Sequence, residues 1–468
     1  MKIWSCRELY EALDVSQIFK VEGDLPRFNS KDIKPEDFFI ALRGKTDGHE
    51  YVLDALQKGA SFAIVDHLPS NYKGFSPKNK NQLLLVKDTK IALHELAQYR
   101  RRQLHSNCVF IGVTGSVGKT STKEIIARML KSFGMTYGSY QNFNNHIGLR
   151  LNLASVDRKA QYVVMEVGMN HKNEITPLSK LLKPNISVIT NVFDVHRENF
   201  NSTQEIAEAK AEIFAGLKKN TVAILPKDNQ FYDFLVEKFK SMNGETYYSF
   251  GEDKSSTCFL KNYQINNDKA FLKYELFGED ISLQTEAIGK HQALNICIAL
   301  LIAKILSLDM NIVIKALEET SPILGRGKKI DVNKHEKNFT IIHDAYNSSP
   351  PSVKAALEHL KSIEHDKKIL ILADMLELGE KSVQYHEELL KYVINAKPYK
   401  IITVGPIMLH LHNKLSNINN RNFLVKYFPS YEELSNEIEG IIEEKCLAFF
   451  KGSKGTKLYT VVEELLKV

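Results

Sequence analysis

The sequence predicts an α/β protein in three domains, and three observations carry that reading. From about residue 105 onward, short continuous apolar runs alternate with helical stretches, the pattern of parallel strands covered on both faces. The alternation breaks at "SPILGRG" (321–327), punctuated by Pro and Gly, and then begins again. The segment before residue 105 is different, with shorter strands and more turns. The expected division is a small N-terminal α/β domain (1–105), a central parallel sheet (106–322) and a C-terminal, doubly wound, Rossmann-like sheet (323–468).

In chain order, "YVLDALQKGASFAIVD" reads as a helix followed by a strand, and "KIALHELAQYRRRQL" as a connecting helix that leaves the first domain. Val109 to Val113 is short, apolar and β-branched, a buried strand. A glycine turn follows. From Thr120 a helix places Ile125, Ile126, Met129 and Leu130 on one face. The runs "YVVMEVG" (162–168), "ISVITNV" (186–192) and "TVAILPKD" (221–228) supply further parallel strands. Residues 245–290 are more polar and turn-rich, and predict antiparallel strands at the sheet edge. "ALNICIALLIAKIL" (293–306) is too short to span a bilayer and predicts a buried helix. In the last third, "FTIIHDAY", "KKILILADM", "YKIITVGP", "FLVKYF" and "KCLAFFKGS" predict the strands of the second doubly wound sheet.

Composition narrows the function classes. With 62 basic and 56 acidic residues interspersed along the 468-residue chain, the net charge of +6 describes a solvated surface rather than a nucleic-acid footprint. It still favours anionic substrates. The five cysteines, Cys6, Cys108, Cys258, Cys297 and Cys446, lie far apart and form no C-x-x-C pair, which fits a reducing cytoplasm. The N-terminal "MKIWSCRELYEALD" has no apolar core of signal-peptide length, so a soluble cytoplasmic monomer is expected.

The chemistry is concentrated around "VFIGVTGSVGKTSTKE" (109–124), a strand, a glycine-rich turn and a helix. This is the frame of a P-loop, formed here by Thr114, Gly115, Ser116, Val117, Gly118, Lys119, Thr120 and Ser121. Gly115 and Gly118 allow backbone N–H groups to approach a phosphate closely. Lys119 can reach the terminal phosphates of a nucleoside triphosphate, and the Thr120 hydroxyl can ligate Mg²⁺. The common first glycine of such loops is replaced by Val113.

Glu166 ends one apolar strand, and His196 follows another in "ITNVFDVH", at the strand ends where ligands of parallel sheets gather. Glu166 suits either Mg²⁺ or a structural ion pair. His196 alone reads as a hydrogen-bonded or surface histidine. Lys210, among the glutamates of "TQEIAEAKAEIFAGL", reads from spacing as a salt bridge to Glu205, Glu208 or Glu212. His291 and Asn295 in "GKHQALN" share a helix face, and an Asn amide can hold adenine. Arg326 could stabilise phosphoryl charge if the domains close, or be a surface hinge residue. "HDAYNSSPPS" sets Asp344, Tyr346 and Asn347 between a strand end and a Pro-started helix, and "ADMLELGEKS" repeats that layout with Asp374 and Glu377.

Taken together, these motifs resemble those of the Mur ligases, a family of ATP-dependent, amide-forming enzymes of cell-wall precursor synthesis. The family's T-G-[ST/N]-x-G-K-[ST] loop also lacks the first glycine, which accounts for Val113. "QNFNNHIG", "MEVGMNHKNEI", "GKHQALN", "HDAYNSSPPS", "LADMLELGEKSVQYH" and "FFKGSKG" resemble the family member that acts last in the pathway. The resemblance covers essentially the whole chain. It implies ATP and Mg²⁺, with UDP-N-acetylmuramoyl-tripeptide and D-alanyl-D-alanine as the pair to be joined through an acyl phosphate. It assigns Lys119 and the loop to the phosphates and Thr120 to Mg²⁺. Glu166 and His196 would hold a second Mg²⁺, beside a carbamylated Lys210. His291 and Asn295 would meet adenine, and Arg326 and Asp344 would reach phosphate and nucleoside from the last domain. Ser30, Lys31, Asn144, Asn145, Asn347 and Ser453 fall on the substrate side. One departure is Asn29-Ser30-Lys31, where the family usually has Asp-Ser-Arg; lysine keeps the charge without the bidentate fork. A folylpolyglutamate synthase shares the loop but needs no nucleotide-sugar domain before it. A P-loop switch would bind nucleotide and join nothing.

Overall fold

The computed structural model describes residues 2–13, 15, 21–140, 143–195, 198–266, 269–286, 289–334 and 337–467. It contains three sheets in an α/β, three-domain architecture. The first sheet has four short parallel strands, Pro26–Arg27, Phe38–Ile40, Ala63–Val65 and Leu83–Leu85, in sequence order. The helix Thr89–Gln103, capped by Asp88, leaves this sheet and packs on the helix His146–Ala154 of the next domain. Two hydrogen bonds, the first of them buried, fasten the joint. The Trp4 indole N–H donates to the Ala154 carbonyl at 2.7 Å, and Arg101 donates to the Leu182 carbonyl at 2.7 Å.

The central sheet has nine strands. Its middle is the parallel set Val222–Pro226, Ile186–Ile189, Val109–Thr114 and Tyr162–Glu166, with Thr136–Gly138 at one edge. The register aligns the strand ends that matter. Val113 lies opposite both Glu166 and Val188, and Thr114 lies opposite Ile189. The apolar runs read from sequence as doubly covered are buried on both faces, by the helices Lys119–Lys131 and Lys290–Ile305 on one side and an independent apolar cluster on the other. The helix Lys290–Ile305 is enclosed as its composition requires, with every residue from Ile296 to Ala303 buried.

Two expectations need correction. Residues 245–290 are not uniformly antiparallel: Thr246–Gly251 continues the parallel sheet beside Val222–Pro226, and only Cys258–Asn266, Lys269–Leu276 and Glu279–Thr285 form antiparallel pairs out to the edge. The reason is local. Tyr248, Ser249 and Phe250 still face a neighbour buried on both sides, whereas the later strands alternate buried and exposed residues in the manner of a half-solvated edge. The helix after the glycine turn also begins at Lys119, not Thr120, with Gly118 as its N-cap.

The last sheet has six strands in the order Lys328–Lys334, Lys337–Asp344, Leu447–Lys451, Lys368–Ala373, Lys400–Val404 and Leu424–Phe428. All pairings are parallel except the first hairpin, whose edge strand "KKIDVNK" has too little apolar content to be legible. Asp344 and Lys451 are register partners at adjacent carboxyl ends. Among the described residues, no helix is long and apolar enough to cross a membrane.

Candidate active site

A cavity of about 610 Å³ opens where the carboxyl ends of the central strands face those of the last sheet. The phosphate loop forms one wall. Gly115 and Gly118 have φ of 149° and 83°, and a Cβ on Gly115 would lie 1.9 Å from the Thr190 hydroxyl. The loop is held from the neighbouring strand end: the Asn191 side chain accepts from the Val117 N–H at 2.9 Å and donates to the Val117 carbonyl at 3.0 Å. Ser116 exchanges hydrogen bonds with the backbone of Phe193. Ser116 to Ser121 line the cavity, whereas Thr114 and Gly115 stand behind them, with the Thr114 side chain buried.

Lys119 folds back over the loop, donating to the Gly115 carbonyl at 2.8 Å. Burial lowers its pKa, Glu166 opposes that shift, and the positive charge of Arg326 reinforces it. A phosphate chain in the cavity would relieve this strain between cations. Glu166 is only 3 % exposed. Its two carboxylate oxygens accept from the Thr120 hydroxyl at 2.7 Å and from the Asn144 amide at 2.8 Å, while its backbone N–H donates to Ser139. Asn145, beside it on the cavity wall, caps the helix His146–Ala154 by accepting from the Gly148 N–H.

The last domain closes the opposite side. Arg326 lies between Gly325 and Gly327, both at positive φ, with its guanidinium 5.3 Å from the Tyr346 ring centre. Asp344 is paired with Lys451 at 2.9 Å; burial raises its pKa against the pull of Lys451 and Arg326. Lys451 also donates to the carbonyl of Asn347, and Asn347 lines the cavity. His291 and Asn295 reach the cavity from the start of the helix Lys290–Ile305. His291 stands exposed at the mouth of the cavity, and the protein packed around it, then the charge of His359 and Lys451, pull its pKa below the ordinary histidine value.

The other sequence-derived residues lie elsewhere. Ser453 is buried outside the cavity lining; its hydroxyl accepts from the Leu376 N–H and donates to the Ser348 carbonyl. Ser30 and Lys31 belong to the first domain, in a short turn capped by Asn29. His196 lies outside the described residues.

Lys210 departs from the salt-bridge expectation. Glu205 and Glu208 are engaged by Lys172, and Glu212 accepts from the backbone of Asn173 and Thr176. Lys210 points inward instead, 1 % exposed. Its pKa is lowered well below the usual lysine value, first by burial and then by the charge of Lys119. The i,i+4 argument failed because it treats a helix as if all its faces met water.

Tyr346, singled out with Asp344 and Asn347, lines the cavity, whereas Lys451 and Lys454, which line it too, were not singled out from sequence. Lys451 had a usable signal, since "FFKGS" and "IIHD" both end strands and adjacent parallel strands bring their ends together. Another cluster, Asp47, His49 and His67, has donor atoms within 4.8 Å of one another. The His49 nitrogens already serve the fold there, one bonded to Asp47 and the other accepting from the Asp66 N–H.

Comparison with known proteins agrees with this geometry. The Mur ligase middle domain matches residues 113–303, and the Mur ligase glutamate ligase domain matches residues 328–454. A UDP-N-acetylmuramoyl-tripeptide–D-alanyl-D-alanine ligase of Rickettsia prowazekii is 38 % identical, with 98 % of this chain and 99 % of that one aligned. The Bacillus subtilis protein of the same name is 30 % identical over 94 % and 92 % of the two chains. A crystal structure of MurF from Acinetobacter baumannii superposes with a TM-score of 0.83 at 27 % identity, covering 99 % of this chain and 98 % of that one. The chain belongs to the Mur ligase family, among the UDP-N-acetylmuramoyl-tripeptide–D-alanyl-D-alanine ligases.

Proposed function

We propose that the chain is the ATP-dependent, ADP-forming ligase that joins D-alanyl-D-alanine to UDP-N-acetylmuramoyl-tripeptide, giving the pentapeptide precursor of peptidoglycan. The names of its full-length relatives support this. The observation that carries it is the shared cavity, in which the phosphate loop and Glu166 face Arg326, Asp344 and Asn347 of the last domain. That arrangement suits a reaction whose activated intermediate must be shielded from water.

A carboxylate is a poor electrophile, so the γ-phosphoryl group of ATP is transferred to the terminal carboxylate of the tripeptide. ADP leaves, and an acyl phosphate remains. The amino group of D-alanyl-D-alanine then attacks the acyl carbon, loses a proton and expels phosphate as the amide forms. The work of the protein is positioning and charge neutralisation. Lys119 and the loop 114–121 hold the phosphates. Arg326 stabilises the transferring charge, Asp344 meets the nucleoside, and His291 and Asn295 meet adenine. Asn144, Asn145 and Asn347 flank the reacting peptide ends, Ser453 supports that wall from behind through Leu376 and Ser348, and Ser30 and Lys31 hold the nucleotide-sugar.

The buried Thr120–Glu166 pair is an all-oxygen donor set suited to Mg²⁺, a cation that would offset the buried carboxylate charge. Thr120 would hold one ion; Glu166 and His196 would hold another with Lys210 as its carbamate. When bound, the metal neutralises phosphoryl charge. The domain division follows as 1–105 for the nucleotide-sugar, 106–322 for ATP and 323–468 for closure and the dipeptide, in a cytoplasmic monomer.

Phosphate release by the purified protein tests the reading. The tripeptide substrates ending in lysine and in meso-diaminopimelate are each supplied with ATP, with and without D-alanyl-D-alanine. Release that needs both the tripeptide and the dipeptide is the expected result. Release without either describes a nucleotide switch and overturns the ligase reading.

A further inference from the structure

One side-chain contact between the central and last domains lies outside the cavity lining and has no role in the chemistry above. The Tyr385 hydroxyl, on the helix Ser382–Glu387 of the last domain, donates to Asp194 Oδ2 at 2.8 Å. Asp194 lies in the loop after the strand Ile186–Ile189, two residues before His196. Its other oxygen accepts from the Thr203 hydroxyl at 3.1 Å. Thr203 opens the helix Thr203–Ala211, which carries Lys210. One carboxylate therefore joins the last domain, the loop leading to His196 and the N-terminus of the Lys210 helix, where a negative charge is favoured.

The tyrosine is presented on a rigid support. The neighbouring His386 is fully buried, donates from Nδ1 to the Ser382 carbonyl at 2.7 Å and accepts from the Met375 N–H at 2.9 Å. Met375 begins the turn that brings Glu377 to the cavity wall. The Tyr385 helix and that stretch of wall are thus tied together.

We infer that Tyr385 is a positioning residue: through Asp194 it latches the closed last domain and sets the loop and helix that carry His196 and Lys210. The inference rests on the proposed metal-side role of those two residues. Tyr385 touches no reacting atom. It makes the order of the metal-side groups depend on domain closure, so that the site is complete only when both substrates are enclosed.

The test uses the full-length protein and Tyr385→Phe, which keeps the ring and its packing. A hydrogen bond to a charged acceptor is strong enough for its loss to shift a closure equilibrium by about tenfold. The expected result is a kcat about tenfold lower, a several-fold higher Mg²⁺ concentration for half-maximal rate, and a KM for UDP-tripeptide within about twofold of the parent. Tyr385→Phe added to Asp194→Ala should cause no further loss, because both remove the same bond. A Tyr385→Phe enzyme with parental kcat and Mg²⁺ dependence overturns the latch, as do losses that multiply in the double variant. Small-angle scattering with a non-hydrolysable ATP analogue reads the latch without turnover: compaction should be weaker in Tyr385→Phe, and equal compaction counts against it. Failure of the parent protein to show substrate-dependent phosphate release would instead overturn the ligase reading, and the scattering comparison would still decide the latch.

Discussion

Lys210 shows what a single residue can decide. An ammonium group this deeply buried beside Lys119 is disfavoured twice, by desolvation and by like charge, which shifts the balance toward the neutral amine. A neutral amine can add CO₂, and the resulting carbamate is an oxygen-donor anion. Lys210→Ala should then be nearly inactive and be partly restored by short carboxylates that occupy the vacated site. Lys210→Arg should stay inactive, since Arg takes up no CO₂; parental turnover by Lys210→Arg would discard the carbamate. His343 gives a prediction of another kind. It is 3 % exposed, and burial lowers its pKa to about 4, against an ordinary value of 6.5. Between those values the unfolded chain binds the extra proton, so stability is lost as pH falls from about 6.5 to 4. Denaturant titrations across that window should show a slope of up to about 1.4 kcal/mol per pH unit from this group. His343→Asn should flatten the slope. An unchanged slope would mean that His343 does not titrate as its burial requires.

At the scale of elements, the loop and its flanking strand and helix are the test case. The legible part was what repeats along the chain: continuous apolar strands, the glycine turn and the amphipathic helix face at Ile125, Ile126, Met129 and Leu130. Contacts made by distant segments were not legible. Asn191 stitches the loop backbone from another strand, and Lys451 pairs with Asp344 across about a hundred residues of sequence. The direction of Lys210 depended on what covered its helix, which no local spacing states. The edge strand Lys328–Lys334 escaped because an edge needs little apolar content. Gly115→Ala probes the element directly. Its φ of 149° and a Cβ placed 1.9 Å from Thr190 Oγ1 require the loop to shift. The thermal midpoint should change by only a few degrees, because the strand and helix cores stay intact. ATP affinity, measured by calorimetry, should fall at least tenfold. Unaltered ATP affinity would show that the loop tolerates a displaced backbone and does not depend on this turn.

For the whole molecule, the question is how the last sheet reaches nucleotide held by the central one. The segment 321–327 joins them. Its start is tied to the central domain, where Arg128 donates to the Ser321 carbonyl at 2.9 Å. Its end is tied to the last domain, where the Gly327 N–H donates to the His343 carbonyl and the Tyr346 N–H to the Gly325 carbonyl. Between these anchors lie Pro322, Ile323 and Leu324, and the two positive-φ glycines of the last-domain anchor, Gly325 and Gly327, flank Arg326. A hinge needs a few residues that absorb a backbone change, and here they lead directly into a site residue. Rotation of the last domain would therefore swing Arg326 toward or away from Lys119 as part of the same motion. Small-angle scattering should show compaction when a non-hydrolysable ATP analogue and UDP-tripeptide are added together. Gly325→Ala, at φ 82° with a Cβ 3.0 Å from that of Tyr346, should distort the hinge and lower kcat by tenfold or more while leaving UDP-tripeptide binding to the first domain unchanged. If Gly325→Ala turns over like the parent, or if the parent shows no ligand-dependent compaction and is already closed when free, then Arg326 is held in place without a hinge and closure is not part of the cycle.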